Sequence, residues 1–275
     1  MSRLANRAVL AVLVWASLAC VRAGALTEQQ TVERARMFLR DVGRDIPSTV
    51  PKVTRCAEGW RPGSWRVEFG PTLRVEISAA TGKVVALFDA LRVPTAGASS
   101  PIGKDEAKRL ATEYMKASGG LPEGARFSSV NGLLGDPPDR PAIWQVVWDR
   151  YVDDILVLDD TLNIQIDASS GALIGFSNNF LLPVPKVAEV YVSQAEAVAT
   201  AAAHTGKSVD NATTGIVIVD PDALRAVKPN RWRSVFAWAV VFDGRVRVLV
   251  AQATGEVLEV ARPMRAMRNP ARAPQ

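Results

Sequence analysis

A tryptophan-led strand pair closed by a glycine is written three times in this chain, and that repetition restricts the possible folds more than any composition value does. Trp238 to Gly255 reads WAVVFDGRVRVLVAQATG and Trp65 to Gly82 reads WRVEFGPTLRVEISAATG, with the glycine seventeen residues after the tryptophan in both. Trp144 opens the remaining copy. There WQVVWD aligns with Trp238 to Asp243, and TLNIQIDASSG ends at Gly171, twenty-seven residues after the tryptophan, so ten residues are inserted.

Period and turn chemistry explain what each copy folds into. Large apolar side chains alternate along Trp238, Val240 and Phe242 and again along Val246, Val248 and Val250, which gives each strand one core-facing side. The matching positions are Leu73, Val75 and Ile77 in the first copy and Leu162, Ile164 and Ile166 in the second. Small polar residues precede each glycine, which supplies the positive φ that a short hairpin loop needs. A further strand follows every glycine: Lys83 to Phe88, Ala172 to Phe176 and Glu256 to Val260.

Each copy also opens with a helix signal. Thr27 with Gln30 and Ser193 with Glu196 fit the capping box, and Gly103 with Glu106 is a weaker form. Val32, Ala35, Phe38, Leu39 and Val42 fall on one helical face, as do Ala107, Leu110, Ala111 and Tyr114. The third helix, Ala195 to His204, is alanine-rich, and Gly43, Gly119 and Gly206 end the three. One more strand is expected in each helix-to-tryptophan segment: Val50 to Cys56, Phe127 to Leu133 and Thr214 to Val219. The expected fold is α+β, three tandem repeats of a helix on a four-stranded antiparallel sheet, over 26–92, 102–181 and 190–261. Proline-rich segments at 93–101 and 182–185 mark the boundaries.

Residues 1–25 read as a secretory signal peptide: Arg3 and Arg7, an apolar run from Ala8 to Ala19, then Ala23-Gly24-Ala25 with cleavage expected after Ala25. The apolar run is well short of the roughly 20 residues that span a membrane, so no transmembrane segment is expected in the mature chain. Ser17 occupies the position where a lipoprotein box carries leucine, which weakens lipidation of Cys20 as the alternative. Cleavage leaves Cys56 as the only thiol, which excludes an intramolecular disulfide. The formal charge of +5 comes from the ends: without the leader arginines and the four of the basic tail (262–275), 26 basic residues face 28 acidic ones. Such a body gives no reason to expect nucleic-acid binding, and the tail is expected to be disordered.

Few residues suggest chemistry. His204, the only histidine, lies at a helix C-terminus, where an imidazole complements the dipole. No G-x-S-x-G elbow or phosphate-binding glycine loop is present, so neither an enzyme nor a cofactor is expected. Asp153-Asp154, Asp159-Asp160 and Asp167 could converge on calcium, but acidic pairs at strand ends are also ordinary turn and edge chemistry, which is the preferred reading. Trp65, Trp144 and Trp238 are expected to be buried equivalents, leaving Trp60, Trp148 and Trp232 for the surface.

The insertion, Arg150 to Asp160, is the feature that only the middle copy has. Its hairpin, with Tyr151, Asp153, Asp154, Ile155, Val157, Asp159 and Asp160, is the expected binding element, and Ile155 to Leu158 are expected to form an added edge strand. Such an edge can take up an extended partner segment, while the acidic pairs hinder self-pairing and favour a basic partner. The competing reading is that the hairpin joins neighbouring copies.

The capped helix, the W-x-V strand and the D-A-S-S-G-x-L turn resemble the PepSY and YcdB/YcdC repeat family of bacterial envelope and secreted proteins. The middle copy, DRYVDDILVLDDTLNIQIDASSGALIGF, is also similar to the propeptides of thermolysin-type proteases, except that Asp153-Asp154 replace the usual hairpin glycine. The resemblance implies cystatin-like α+β units and a secreted or periplasmic, non-enzymatic protein that binds another secreted or envelope protein and restrains or inhibits it, a protease among the candidates. No protease domain follows here, so restraint of an attached protease is not expected. The alternative is an envelope component that holds peptidoglycan, polysaccharide or metal.

Overall fold

A computed structural model describes residues 26–56, 63–90, 102–133, 142–180, 190–220 and 234–261. The leader, the basic tail, the proline-rich connections and Trp60 and Trp232 lie outside the described residues.

The capping signals set the helix starts. Thr27 and Ser193 each accept a hydrogen bond from the backbone N–H three residues on, and Gln30 and Glu196 bond back to the cap. Gly103 caps the second helix without a side-chain bond. The helices are α1 (Glu28–Asp41), α2 (Lys104–Ser118) and α3 (Gln194–Thr205). Ala35, Phe38, Leu39 and Val42 of α1 are buried as the periodicity requires; on α2, Ala107 and Ala111 are joined by Met115. Gly119 and Gly206 cap the C-termini of α2 and α3, and Gly43 follows the cap residue Val42 of α1.

Four strands follow each helix. After α1 come β1 (Lys52–Cys56), β2 (Ser64–Phe69), β3 (Leu73–Ser78) and β4 (Val84–Asp89). After α2 come β5 (Ala125–Leu133), β6 (Ile143–Val152), β7 (Ile155–Asp167) and β8 (Leu173–Asn178), and after α3 come β9 (Ala212–Val219), β10 (Val235–Phe242), β11 (Val246–Ala251) and β12 (Val257–Ala261). The protein is thus mixed α/β and richer in strand than in helix.

The described residues pack as two units, one of 26–56, 63–90, 102–120, 142–143 and 165–176, the other of 121–133, 144–164, 177–180, 190–220 and 234–261. In the first unit β1 to β4 form an antiparallel ladder, with β8 beside β4. Its core gathers the helix face of α1 with Val67, Phe69, Val75 and Ile77. Arg44, just past α1, is bonded at 2.8 Å to Asp89 and also donates to the Leu173 carbonyl. In the second unit β7, β9, β10, β11 and β12 lie in that order. The alanines of α3 pack there on Val240, Phe242, Val248 and Val250. Helix α3 needs no bulky face, because the strand side chains fill the space that its alanines leave.

The turn before each copy's last strand is built identically. Gly82, Gly171 and Gly255 have φ of 67°, 74° and 74° and each donates its N–H at 2.9 Å to the carbonyl four residues earlier. The residues three before them, Ala79, Ala168 and Gln252, each donate at 3.0 Å to the carbonyl two residues before the copy's tryptophan. An added Cβ would first meet Leu26 and Val192, just before α1 and α3, at Gly82 and Gly255, and Leu110, midway along α2, at Gly171, so each turn packs against its own helix or the residues leading into it.

Candidate functional site

The inserted residues form the far end of the β6–β7 hairpin, whose strands run to ten and thirteen residues against six in each of β2 and β3. Asp153 and Asp154 make the two-residue turn with φ of 48° and 64°. Two successive left-handed residues match the twist of a tight hairpin, and aspartate is among the few side chains that tolerate this region, so the missing glycine is replaced without losing the turn. Arg126 of β5 braces it: the guanidinium pairs with Asp154 and lies 4.4 Å from the centre of the Tyr151 ring. Nothing in the sequence around Arg126 pointed to that role.

Residues 155–158 are not an open edge. Leu156 and Val157 pair in parallel with Val217 and Ile218 of β9, and β6 lies on the other side of β7. Ile155 and Val157 pack with Val152, Ile218 and Phe236, whereas Leu156 and Leu158 pack with Val217, Val219, Ala237 and Leu249. The expected edge strand is therefore corrected. A run of Ile-Leu-Val-Leu without polar alternation belongs to a strand covered on both faces, and that signal was present in the sequence.

The acidic groups sit in separate surroundings. Asp160 is 3% exposed and bonded to Arg150 at 2.7 Å, and that guanidinium lies 6.0 Å from the Phe180 ring centre. Asp159 adopts φ of 64° and stays exposed as a residue; packing around its carboxyl raises its pKa, with Arg247 opposing and Glu259 adding. Asp167 is buried at the end of β7, where one carboxylate oxygen accepts from the Ser169 N–H at 2.7 Å, the Ser169 hydroxyl at 2.5 Å and the Ser170 N–H at 3.1 Å. Burial alone would raise its pKa; these hydrogen bonds outweigh burial, and the net shift is downward. Among the described residues no three His, Cys, Asp or Glu side chains form a group that could hold a metal. Asp153 and Asp154 serve the turn, Asp154 and Asp160 form ion pairs, and Asp167 holds the bend after β7.

The other candidates fall into place individually. His204 is exposed in the last turn of α3, and Cys56 is a half-buried free thiol at the end of β1. Trp65, Trp144 and Trp238 are each half-buried, not fully buried as expected. The Trp238 indole N–H donates to the Val192 carbonyl at 2.9 Å; that of Trp65 is shielded from solvent without an acceptor. Trp148, expected at the surface, is 3% exposed and meets Phe127 edge-on with ring centres 6.3 Å apart.

Capped helices with four strands after each define a mixed α/β fold rich in strand. Among solved structures, the Bacillus megaterium YpeB C-terminal domain is similar: 15% of residues are identical, the TM-score is 0.50, and the match covers 86% of this chain and 98% of that one. At that identity the likeness is one of fold. No family profile and no curated protein sequence matches the chain. Among the described residues no helix is long and apolar enough to cross a membrane.

Proposed function

We propose that this chain is a secreted or periplasmic, non-enzymatic protein-binding module assembled from three tandem PepSY-type copies. The observation that carries the reading is the recurrent glycine turn, with matching hydrogen bonds at Gly82, Gly171 and Gly255. The fold likeness to the YpeB domain supports the PepSY part of it. Restraint of another envelope or secreted protein, a protease included, is the activity this architecture suits. The single histidine, exposed at a helix end, supports the non-enzymatic part. Recognition by strand addition at 155–158 is not part of the proposal, because Leu156 and Val157 are already paired to β9.

Affinity capture with the full chain from the envelope and secretome of its native cells tests this reading. A specific protein partner supports it; recovery of cell-wall material alone overturns it in favour of a structural envelope role. Export is tested separately, by sequencing the N-terminus of the mature protein. Leu26 as the first residue is the expected result, and a lipid-modified Cys20 would refute cleavage after Ala25.

A further inference from the structure

The hairpin is packed into its own unit, but α1 leaves a groove open. It lies between the helix and the residues leading into β1, has a volume of about 500 Å³, and is lined by Val32, Glu33, Arg36, Arg40, Val50 and Pro51 among others. Positions 32, 36 and 40 share one helical face. Val50 is 92% exposed, so a large apolar side chain stands in water at the rim.

Among the described residues Arg36 and Arg40 lack the carboxylate partners that several other arginines of this unit have. Arg44 has Asp89, Arg66 and Arg74 share Glu76, and Arg109 has Glu106 and Glu113. Arg36 and Arg40 line the groove without an ion pair among the described residues; the Arg36 Nε is shut off from solvent with no acceptor, as are those of Arg44 and Arg74, but those two guanidiniums have carboxylates. Glu33, three residues before Arg36, does not pair with it. The helix dipole accounts for Arg40 in the last turn but not for Arg36, because that interaction fades beyond one turn. A guanidinium without a carboxylate gains a charge-assisted hydrogen bond when one arrives. Beside the groove runs β1, a terminal strand with β2 as its only strand neighbour among the described residues; its Lys52 lies 3.7 Å from Glu68 and its Arg55 over the Trp65 ring.

We propose that this groove binds an extended acidic segment of a protein partner, with its carboxylates on Arg36 and Arg40 and its apolar side chains on Val32, Val50 and Pro51. The proposal rests on the protein-binding reading and gives that partner a chemistry. The third copy supplies an internal control. A groove of about 540 Å³ lies beside α3, lined by Gln194, Ala195, Val198, Ala199 and Val209, with no charged residue among them. Val198 follows the Ser193 cap by the same five residues that separate Val32 from Thr27. The cleft recurs; the arginines do not.

The test is fluorescence anisotropy with the full chain and a labelled short peptide of alternating glutamate and leucine, against the same peptide with glutamine for glutamate. The glutamate peptide should bind about tenfold or more tightly than its glutamine counterpart, and the preference should shrink with salt. Arg36→Gln with Arg40→Gln should weaken binding of the glutamate peptide by about tenfold or more at an unchanged melting temperature, whereas Val198→Ser should leave it unaltered. Arg40→Gln alone, at an exposed position, provides a second reading should the double variant misfold. Equal binding of the two peptides, or undiminished binding by a folded variant, overturns the proposal. So does self-association of the parent that the double variant loses, because the occupant would then be a second copy. The peptide assay reads the groove and the capture experiment reads protein binding, so either can fail without the other.

Discussion

Replacing Gly82, Gly171 and Gly255 by alanine, one at a time, tests whether the three turns are one device. All three glycines occupy the left-handed region. A Cβ there crowds the following carbonyl oxygen, which costs about 1–2 kcal/mol. Space then separates the sites. At Gly82 and Gly255 the new methyl meets Leu26 and Val192 at 3.5 and 3.4 Å, which is ordinary contact. At Gly171 it meets the Leu110 Cδ1 at 2.9 Å, so that side chain must move, and overpacking adds about 1–3 kcal/mol. Gly82→Ala and Gly255→Ala should therefore each lose about 1–2 kcal/mol and Gly171→Ala about 2–5 kcal/mol, read by urea unfolding followed by circular dichroism. Leu110→Ala in the Gly171→Ala background should recover part of the excess. Neutral substitutions at Gly82 and Gly255 would refute the requirement for left-handed backbone. Equal losses at all three would refute the steric part.

Three further outcomes follow from particular contacts. Trp238→Phe should cost about 1 kcal/mol more than Trp65→Phe in the same unfolding assay, because only the Trp238 indole gives up a hydrogen bond, to the Val192 carbonyl; equal costs would dismiss that bond. Asp167 has a lowered pKa, so its contribution is present above the unfolded value near 3.8 and is lost as pH falls through the lower folded one. Asp167→Asn should be less stable than the parent at neutral pH, with the gap closing below about pH 4, and a gap independent of pH would remove the Ser169 and Ser170 bonds as its cause. Replacing 151–160 by the short connection of the third copy should destabilise the second unit by several kcal/mol, at about 1.5–3 kcal/mol for each of Leu156, Val157 and Leu158 withdrawn from contact, and unchanged unfolding would contradict their packing.

The features legible in the sequence were those set by short-range chemistry. The Thr27 and Ser193 capping boxes, the strand alternation and the turn glycines each depend on residues a few positions apart, so period and spacing located them. Burial depends on what lies across the fold: Trp148 is buried against expectation because Phe127 covers it, and the repeat tryptophans stay half-buried. The hairpin departs from expectation for a related reason. Its length suggested an appendage, whereas the unbroken apolar run from Ile155 to Leu158 already carried the signature of a strand with neighbours on both faces.

Arginine shows why composition could not locate the groove. Counted along the chain, Arg36 and Arg40 look like Arg44, Arg66 or Arg74, and the near balance of charge in the body suggests that every cation has a carboxylate. In the fold Glu76 serves two arginines and Asp89 is taken by Arg44, while Glu33 remains apart from Arg36. Pairing is a property of geometry. The same helical spacing that could have let Glu33 and Arg36 neutralise each other leaves both on the wall of an open cleft, with Val50 exposed at its rim. A surface whose charges satisfied one another would reject a charged partner by the cost of desolvation alone. One that leaves a guanidinium without an acceptor, beside apolar side chains in water, gives an acidic and apolar segment something to gain by displacing solvent.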